Sequence, residues 1–316
     1  MPIGNEIDFI IHKMNKSKLS IVIVTYNSEK DIYDCIASIY KYSDLRKDEY
    51  EIIVVDNASR DADTLFLRLE ALYGGGNLIL LRNTRNGGYG QGNNIGITRA
   101  TAPVIMIMNP DVRLTESVFK TALSAFAADD SLSLYGMKQL LSESVPSRNS
   151  FACTYMMNGY LRVLLSAVCA RLDWYIPRCM YISGACFFLR RSMFMEIGMF
   201  DESVFLYGEE DDIRWRLTRR FGMHFKYNKH LHYIHCTLDR AHTADYEDKL
   251  LEVALIHADK KGYSREKMLR NRLQSVRLLI IIEWLRMKTG RHGREEYNLR
   301  VEQLKRIKGM MRHGKD

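Results

Sequence analysis

The segment Asn109-Pro110-Asp111 places an amide and a carboxylate directly after the apolar run 104–108. Pro110 cannot donate a hydrogen bond to a sheet, so a strand should end here with Asp111 just past its carboxyl end. Ligands of open α/β sheets bind at that edge, where Mg²⁺ and Mn²⁺ favour carboxylate and phosphate oxygens. Asn109 and Asp111 are therefore candidates for a divalent ion that holds a diphosphate. The alternative is that Asp111 caps a helix beginning near residues 114–115.

Four consecutive carboxylates follow the pair Tyr207-Gly208. They are Glu209, Glu210, Asp211 and Asp212. Acids at a helix start are favoured by the macrodipole, so some of them should cap the helix or pair with the arginines that follow. Adjacent carboxylates also repel one another, which raises the pKa of at least one toward the range of a general base. We expect one or two of the four to act chemically.

Four histidines lie close together in the chain. They are His230, His232, His235 and His242. A strand would place the first two on one face and His235 on the other. No cysteine spacing supports a structural zinc site, so the sequence favours one histidine that helps an aspartate to bind a catalytic divalent ion. The alternative for each histidine is a surface residue or a hydrogen-bonded core residue.

Apolar runs with helical segments between them predict the scaffold. The runs cover residues 19–25, 50–55, 78–81 and 104–108, and helical spacing covers residues 32–42 and 63–73. This alternation predicts an α/β fold with a doubly wound, mostly parallel sheet. Right-handed crossovers bring the strand ends to one edge. The turns Thr25-Tyr26-Asn27 and Asp56-Asn57 should therefore meet Asn109 and Asp111 there.

A glycine-rich run, Asn86-Gly87-Gly88-Tyr89-Gly90-Gln91-Gly92-Asn93-Asn94, precedes the fourth apolar run. No Gly-Lys-Ser/Thr follows it, and it does not come straight after the first strand, so it is neither a Walker loop nor a dinucleotide fingerprint. Its backbone could approach a phosphate or a base closely. The alternative is a flexible surface turn.

Composition limits the class of protein. With 316 residues and 47% hydrophobic content, the chain can form one large domain or two ordinary ones. No run reaches the roughly 18 apolar residues that a membrane span needs, and the first residues lack the features of a secretory signal. The six cysteines are scattered without a Cys-x-x-Cys pair, which predicts reduced thiols in a cytoplasmic protein.

Positive charge is concentrated near the C-terminus. Residues 265–316 carry 15 Lys and Arg against 6 Asp and Glu, and the chain carries +8, so residues 1–264 carry −1. The excess predicts an anionic partner, lipid or nucleic acid, for this tail alone. The apolar run 276–286 and the basic helix near 295–311 slightly favour an anionic membrane surface over a packing or dimerising extension. The segment 151–181 is either an amphipathic contact for a lipid-linked acceptor or a packed helix.

Taken in order, the motifs resemble those of family 2 glycosyltransferases with the GT-A fold, and most closely the bacterial rhamnosyltransferase-like group. The motifs cover residues 21–27, 54–59, 86–96, 108–111, 183–191, 198–202 and 205–213. The resemblance covers roughly residues 18–240. It implies an N-terminal extension over 1–17, a GT-A domain over 18–240 and a basic helical extension over 241–316.

The resemblance also implies roles for individual residues. Positions matching the family's nucleotide site are Thr25, Tyr26, Asn27, Asp56, Asn86, Gly88, Asn94 and Asn109. Asn109-Pro110-Asp111 stands in the place of the Asp-x-Asp motif, which leaves Asp111 as the main metal carboxylate. His235 matches the histidine that can complete the metal site, and His242 is the alternative because Cys236 departs from the family pattern. The catalytic base position falls on Glu210, with Glu209, Asp211 and Asp212 as neighbouring candidates.

The activity that this resemblance implies is inverting sugar transfer with Mg²⁺ or Mn²⁺ as cofactor. The expected donor is dTDP-rhamnose or, second, a UDP-sugar, and the acceptor is a glycan or a lipid-linked hydroxyl in bacterial cell-surface polysaccharide synthesis. The expected location is the cytoplasm, peripherally at the inner face of the cytoplasmic membrane, with no nucleic-acid partner and a homodimer left open. Two other classes stay open: a non-catalytic sugar-nucleotide or glycan-binding protein on this fold, and a nucleotidyltransferase. The last would need a basic, glycine-rich loop straight after the first strand, which the sequence lacks.

Overall fold

The computed structural model describes residues 17–236, 243–290 and 294–313. His242 and the first 16 residues of the predicted N-terminal extension lie outside the described residues. The chain forms two compact units. The first takes the described residues up to Ser150 together with those from Ile182 to Cys236, and the second takes residues 151–181 together with the C-terminal helices.

The first unit is built on a mixed sheet. Its strands are β1 (Leu19–Thr25), β2 (Tyr50–Asp56), β3 (Leu78–Arg82), β4 (Val104–Met108), β5 (Val112–Leu114), β6 (Leu134–Ser142), β7 (Val145–Pro146), β10 (Cys186–Arg190) and β11 (Phe225–His235). Their order is β3-β2-β1-β4-β10-β6-β11-β5, and β7 pairs with β6. The short strands β8 (Phe151–Cys153) and β9 (Met180–Ile182) pair separately.

Ten α-helices occur in the described residues. Those of the first unit are α1 (Glu29–Tyr42), α2 (Ala62–Tyr73), α3 (Tyr89–Arg99), α4 (Phe119–Ala128), α6 (Arg191–Glu196) and α7 (Glu209–Phe221). Those of the second unit are α5 (Gly159–Leu172), α8 (Ala244–Lys260), α9 (Arg265–Lys288) and α10 (Arg294–His313). A 3₁₀ turn, Lys47–Glu49, leads into β2.

The N-terminal half of the sheet confirms the predicted α/β class. β1 pairs in parallel with both β2 and β4, and β2 pairs in parallel with β3. All residues of β2 and β4 are buried, as expected for β-branched runs with helices on both faces. The parallel pairing brings the strand ends together, so Thr25 lies opposite Asp56.

The remaining strands make the sheet mixed. β10 lies antiparallel between β4 and β6, while β6 pairs in parallel with β11. β5 then pairs antiparallel with the end of β11, where Val112 stands opposite His235. The helix expected near residues 114–115 begins at Phe119 instead, because residues 112–114 are held in this pairing.

The glycine-rich run forms a turn and then helix α3. Two glycines of α3, Gly92 and Gly96, let that helix approach β1 closely. A Cβ on Gly96 would lie 2.5 Å from Val22 Cγ1, and one on Gly92 would lie 2.7 Å from Val24 Cγ1. The flexible surface turn considered from the sequence is therefore limited to residues 87–88, since α3 begins at Tyr89. The glycines inside α3, at positions 90, 92 and 96, allow close packing against Phe200, Val24 and Val22.

The second unit has its own apolar core and a buried polar network. The core joins α8, α9 and α10 through residues such as Leu251, Val276 and Ile307. Glu247 accepts hydrogen bonds from Arg272, Arg300 and Gln303, which ties the same three helices together. The boundary predicted at residues 240/241 stays a prediction, and the structure adds that residues 151–181 group with the C-terminal helices.

Within residues 17–236, 243–290 and 294–313, no helix has both the length and the apolar character needed to cross a bilayer. All six cysteines are free thiols, and four of them are buried.

The close approach of α3 to β1 gives a stability prediction. Gly96→Ala should lower the free energy of unfolding by about 1–3 kcal/mol, because its methyl group has no space beside Val22. Gly309→Ala is the matched control: it lies in helix α10 with open space around the new Cβ, so it should be stabilising by up to about 1 kcal/mol. Urea denaturation followed by circular dichroism measures both. Equal stabilities for the two variants would contradict the packing argument.

Candidate active site at the carboxyl edge of the sheet

The ends of β1 and β2 hold two buried polar atoms that lack a partner among the described residues. Thr25 Oγ1 is one, and Oδ1 of the fully buried Asp56 is the other. The second oxygen of Asp56 accepts a hydrogen bond from the Ser59 backbone N–H at 3.0 Å. A carboxylate held by one oxygen with the other unpaired can accept a hydrogen bond from the imide N–H of a uracil or thymine base.

The turn after β1 is locked to the turn after β2. Asn27 has a positive φ of 50°, and its backbone N–H donates to Ser59 Oγ at 2.8 Å. Its side-chain oxygen accepts from the Arg60 N–H at 3.1 Å. Tyr26, which lies between Thr25 and Asn27 in the chain, is half exposed. The predicted residues of this turn therefore lie together at the sheet edge, and Asn27 also shapes the loop that carries Asp56.

An amide network joins that loop to the glycine-rich turn. Asn57 Nδ2 donates to Asn86 Oδ1 and to the Gly88 carbonyl oxygen, each at 3.0 Å. Asn83 Nδ2 donates to Asn57 Oδ1 at 2.7 Å and to Gln91 Oε1 at 2.7 Å. The sequence predicts only a place at the sheet edge for Asn57, and it predicts no individual role for Asn83 or Gln91. The available signal was an asparagine just past the end of β2 and of β3.

Asn94 and Gly88 attach the loop that precedes the acid cluster. Asn94 exchanges two hydrogen bonds with the backbone of Phe200 and donates to Glu202 Oε1 at 2.8 Å. Gly88 has a φ of 92°, and the carbonyl oxygen of Phe205 occupies the space that a Cβ would need. Both residues therefore contact the 198–208 loop.

The turn after β4 presents a carboxylate and an imidazole together. His235 Nε2 lies 3.2 Å from Asp111 Oδ1, and both side chains are partly exposed. The pairing of β5 with β11 sets this distance, and the Cys236 N–H donates to the Asp111 carbonyl oxygen at 2.8 Å. His232 is occupied elsewhere, since its Nδ1 lies 2.7 Å from Glu116 Oε1. The alternative of helix capping by Asp111 does not apply, because a strand follows it.

The four acids at the start of α7 divide into two pairs. Asp211 and Asp212 each face an arginine: Arg214 Nε lies 3.4 Å from Asp211 Oδ1, and Arg216 Nε donates to Asp212 Oδ2 at 2.7 Å. Burial raises the pKa of Glu209 to about 8, with the negative charge of Glu210 as the next cause. Burial likewise raises the pKa of Glu210. The sequence predicts a raised pKa from mutual repulsion of the carboxylates, but removal from water is the larger cause.

The two glutamates differ in their contacts. Glu210 Oε1 accepts the Gly184 N–H at 3.0 Å, while Glu209 Oε1 is buried without a partner in the described residues. The α7 start itself follows two left-handed residues, Tyr207 and Gly208, both with φ of 81°.

Hydrogen bonds to the backbone of residues 184 and 185 join the acid cluster to the Asp111 turn. The Asn109 N–H donates to the Ala185 carbonyl oxygen at 2.9 Å, and the preceding residue, Gly184, donates to Glu210. Tyr89 Oη donates to the Gly184 carbonyl oxygen at 2.8 Å, so the start of α3 joins the same group. The residues predicted from three distant parts of the sequence therefore lie in one region of the first unit.

Comparisons with known proteins give a family match. The family model described as Glycosyl transferase family 2 matches residues 20–198, more than half of the chain. The chain is 25% identical over 208 residues to the low-salt glycan biosynthesis hexosyltransferase Agl10 of Haloferax volcanii, covering 64% of this chain and 62% of that protein. It is 32% identical over 106 residues to the poly(ribitol-phosphate) beta-N-acetylglucosaminyltransferase TarS of Staphylococcus aureus, covering 33% of this chain and 18% of TarS. The chain thus spans less than two thirds of either relative.

A solved structure supports the fold. The mannosyltransferase PcManGT from Pyrobaculum calidifontis, in complex with GDP-Man and Mn²⁺, superposes with a TM-score of 0.61, covering 96% of this chain and 89% of that chain at 14% identity. At such identity the likeness concerns the fold alone. It confirms the GT-A architecture expected from the sequence.

The raised pKa of Glu209 gives a pH-dependent stability prediction. Between about pH 5 and pH 8 the folded chain keeps a proton that the unfolded chain has lost, so this group makes stability fall as the pH rises. Glu209→Gln cannot ionise and should gain on the order of 2 kcal/mol of unfolding free energy over the wild type at about pH 8, and little at about pH 5. Urea titrations at both pH values measure this. Glu196→Gln, which alters an exposed pair with Arg220, is the control, and a gain for Glu209→Gln that does not change with pH would contradict the assignment.

Proposed function

Because the chain belongs to glycosyl transferase family 2, we propose that it is an inverting transferase that moves a sugar from a nucleotide-diphosphate donor to an acceptor hydroxyl. One observation carries the proposal: hydrogen bonds from Asn109 to Ala185 and from Gly184 to Glu210 connect a carboxylate with a raised pKa to the turn that carries Asp111 and its neighbour His235. The Asp111–His235 pair suits a leaving diphosphate, and the Glu210 carboxylate suits an attacking hydroxyl.

The donor nucleotide would bind at the ends of β1 and β2. The unpartnered oxygens of Asp56 and Thr25 suit the polar edge of a pyrimidine base, and the Asn57–Asn86 network fixes the glycine-rich turn beside them. A buried polar atom without a partner costs about 1–3 kcal/mol, so a ligand that satisfies it gains affinity. This supports assigning Thr25, Tyr26, Asn27, Asp56, Asn86, Gly88, Asn94 and Asn109 to the nucleotide site, Gly88 and Asn94 acting through the neighbouring loop.

Asp111 and His235 would hold a divalent cation, Mg²⁺ or Mn²⁺. A carboxylate oxygen and an imidazole nitrogen 3.2 Å apart form a two-residue ligand set that fits such an ion. No group of three or more His, Cys, Asp or Glu side chains suited to a metal occurs among the described residues, so diphosphate and water oxygens would complete the coordination. The bound ion supplies Lewis-acid neutralisation of the leaving diphosphate. Arg113 orders the turn by donating to the Pro110 and Val112 carbonyl oxygens, each at 3.0 Å.

Glu210 would act as the catalytic base. Its carboxylate is oriented by the Gly184 N–H, and its raised pKa makes it a stronger base than an ordinary glutamate. It would accept the proton of the acceptor hydroxyl while that oxygen attacks the anomeric carbon from the face opposite the diphosphate. Glu209, Asp211 and Asp212 would support it: Glu209 as its buried neighbour, Asp211 as a negative charge that adds to the raised pKa of Glu210, and both aspartates as arginine-paired residues of the helix start.

The substrates follow from the sequence resemblance. We propose dTDP-rhamnose as the first donor to test and UDP-sugars as the second, with a glycan or lipid-linked acceptor in cell-surface polysaccharide synthesis. We place the protein in the cytoplasm, peripherally at the inner face of the membrane. A thermal-shift screen of nucleotide sugars with Mg²⁺ or Mn²⁺ tests the donor class, and a donor that raises the melting temperature only with the ion would identify it.

Glu210→Gln should reduce transfer by about 10²–10⁴-fold, because the amide cannot accept the hydroxyl proton at a useful rate. Donor affinity, measured by calorimetry, should change little. The wild-type rate should rise with pH as Glu210 loses its proton, and this rise should begin above the ordinary glutamate range. Glu196→Gln serves as the control carboxylate. Full activity in Glu210→Gln would move the base to another residue.

Asp111→Asn should weaken Mn²⁺ binding by about tenfold or more, because the ion loses its charged ligand. Electron paramagnetic resonance of free Mn²⁺, with UDP present, measures the affinity without any turnover. Asp34→Asn is the matched control. Asp34 is exposed, and its Oδ2 lies 3.5 Å from Nη2 of Arg113, the residue that orders the Asp111 turn. Equal Mn²⁺ affinities for both variants would refute the metal role of Asp111.

A further inference from the structure

Helix α5 of the second unit carries an apolar face on its solvent side. Leu161, Leu164, Val168 and Leu172 are each more than half exposed. Their spacing of three, four and four residues places them along one stripe of the helix. Gly159 and Cys169 are the buried residues of α5. The helix therefore turns an apolar stripe to solvent, the reverse of a core-packing helix.

Packing at its first turn fixes the direction of α5. Asn158 caps the helix by accepting the N–H groups of Tyr160 and Leu161. Gly159 then lies against α9, where Ser275 Oγ donates to its carbonyl oxygen at 3.1 Å and the backbone of Asn271 leaves no space for a Cβ. The contact between Gly159 and α9 therefore determines which face of α5 is exposed.

Aromatic and basic residues surround the stripe. Tyr160 at its start and Trp174 just past its end are both exposed, and aromatic rings of this kind favour the boundary between water and lipid. Residues 159–178 hold three arginines, Arg162, Arg171 and Arg178, against one acid, Asp173, and Arg171 and Arg178 are exposed. The local charge is therefore positive.

The net charge of the whole second unit is also positive. Its described residues contain 19 Lys and Arg against 11 Asp and Glu. Glu247, Arg272 and Arg300 are buried together; without them 19 − 2 = 17 Lys and Arg remain against 11 − 1 = 10 Asp and Glu, so the excess stays positive. A complementary partner is an anionic surface with an apolar interior. A second copy of this unit would bring like charges together, which opposes association through the same face.

We propose that the α5 face, defined as Leu161, Leu164, Val168, Leu172 and Trp174, docks on an anionic phospholipid surface. The helix lies in the plane of the interface: its 14 residues extend only about 21 Å, less than the roughly 30 Å of a hydrocarbon core. Its leucines enter the headgroup boundary while Arg171 and Arg178 contact lipid phosphates. The biological purpose of this docking, access to a lipid-linked acceptor, rests on the proposed function, whereas the lipid binding itself does not require transfer activity.

The experiment compares two double variants of the full chain that add the same charge at different places. Leu164→Glu with Val168→Glu changes the α5 face, and Leu67→Glu with Leu72→Glu changes two exposed leucines of α2 in the first unit. Co-sedimentation is measured with vesicles of phosphatidylcholine, with and without phosphatidylglycerol. Wild type should bind the anionic vesicles. The α5 variant should lose about tenfold or more in partition while the α2 variant keeps its binding within about twofold.

Three results would overturn the proposal. Wild type that does not sediment with anionic vesicles would remove it directly. Equal losses in both variants would show that net charge alone drives binding. A wild-type dimer that the α5 variant converts to monomer, with no vesicle binding, would assign the face to a second copy. Melting-temperature shifts with UDP and Mn²⁺ are recorded for every variant, so failure of lipid docking is distinguished from failure of the nucleotide site.

Discussion

Gly184 and Ala185 hydrogen-bond to both halves of the candidate site at once. Ala185 accepts from Asn109 in the turn that carries Asp111, and Gly184 donates to Glu210 on α7. The carbonyl oxygen of Gly184 also accepts from Tyr89 at the start of α3. Glu210 occupies the space that a side chain at residue 184 would need, so the placement of this carboxylate depends on the absence of a Cβ. Strand β10, antiparallel between β4 and β6, holds this dipeptide in place.

Three polar atoms of the candidate site are left unsatisfied by the fold itself. Thr25 Oγ1, Asp56 Oδ1 and Glu209 Oε1 are buried without partners in the described chain. Each such atom costs about 1–3 kcal/mol, which the buried strands β1, β2 and β4 must offset through apolar burial. Unsatisfied atoms at the carboxyl edge of the sheet are expected where a ligand completes the hydrogen bonding. Stability in the core and binding capacity at the edge thus come from the same strands.

The second unit distributes its charges and apolar groups in an unusual way. A buried carboxylate, Glu247, is surrounded by two arginines and Gln303 inside the helical bundle. Removing one partner of such a network would leave a buried charge without its counterpart. The network therefore favours this particular arrangement of α8, α9 and α10. Helix α5, by contrast, exposes its leucines. Its apolar surface therefore contributes little to folding and is available for another contact.

The sequence by itself determined the fold class, the strands of the parallel half and the identity of the candidate chemical groups. This was possible because β-branched runs, a proline-ended strand and consecutive acids are local patterns with local physical causes. It did not determine that β5 would replace the expected helix start, that burial rather than repulsion raises the pKa of Glu209, or that α5 would expose its stripe. Those outcomes depend on which distant segments pack together: β11 on β5, the 198–208 loop on the glycine-rich turn, and α9 on Gly159. Tertiary structure alone decided them, because burial and cross-strand pairing are properties of neighbours that a local pattern does not specify.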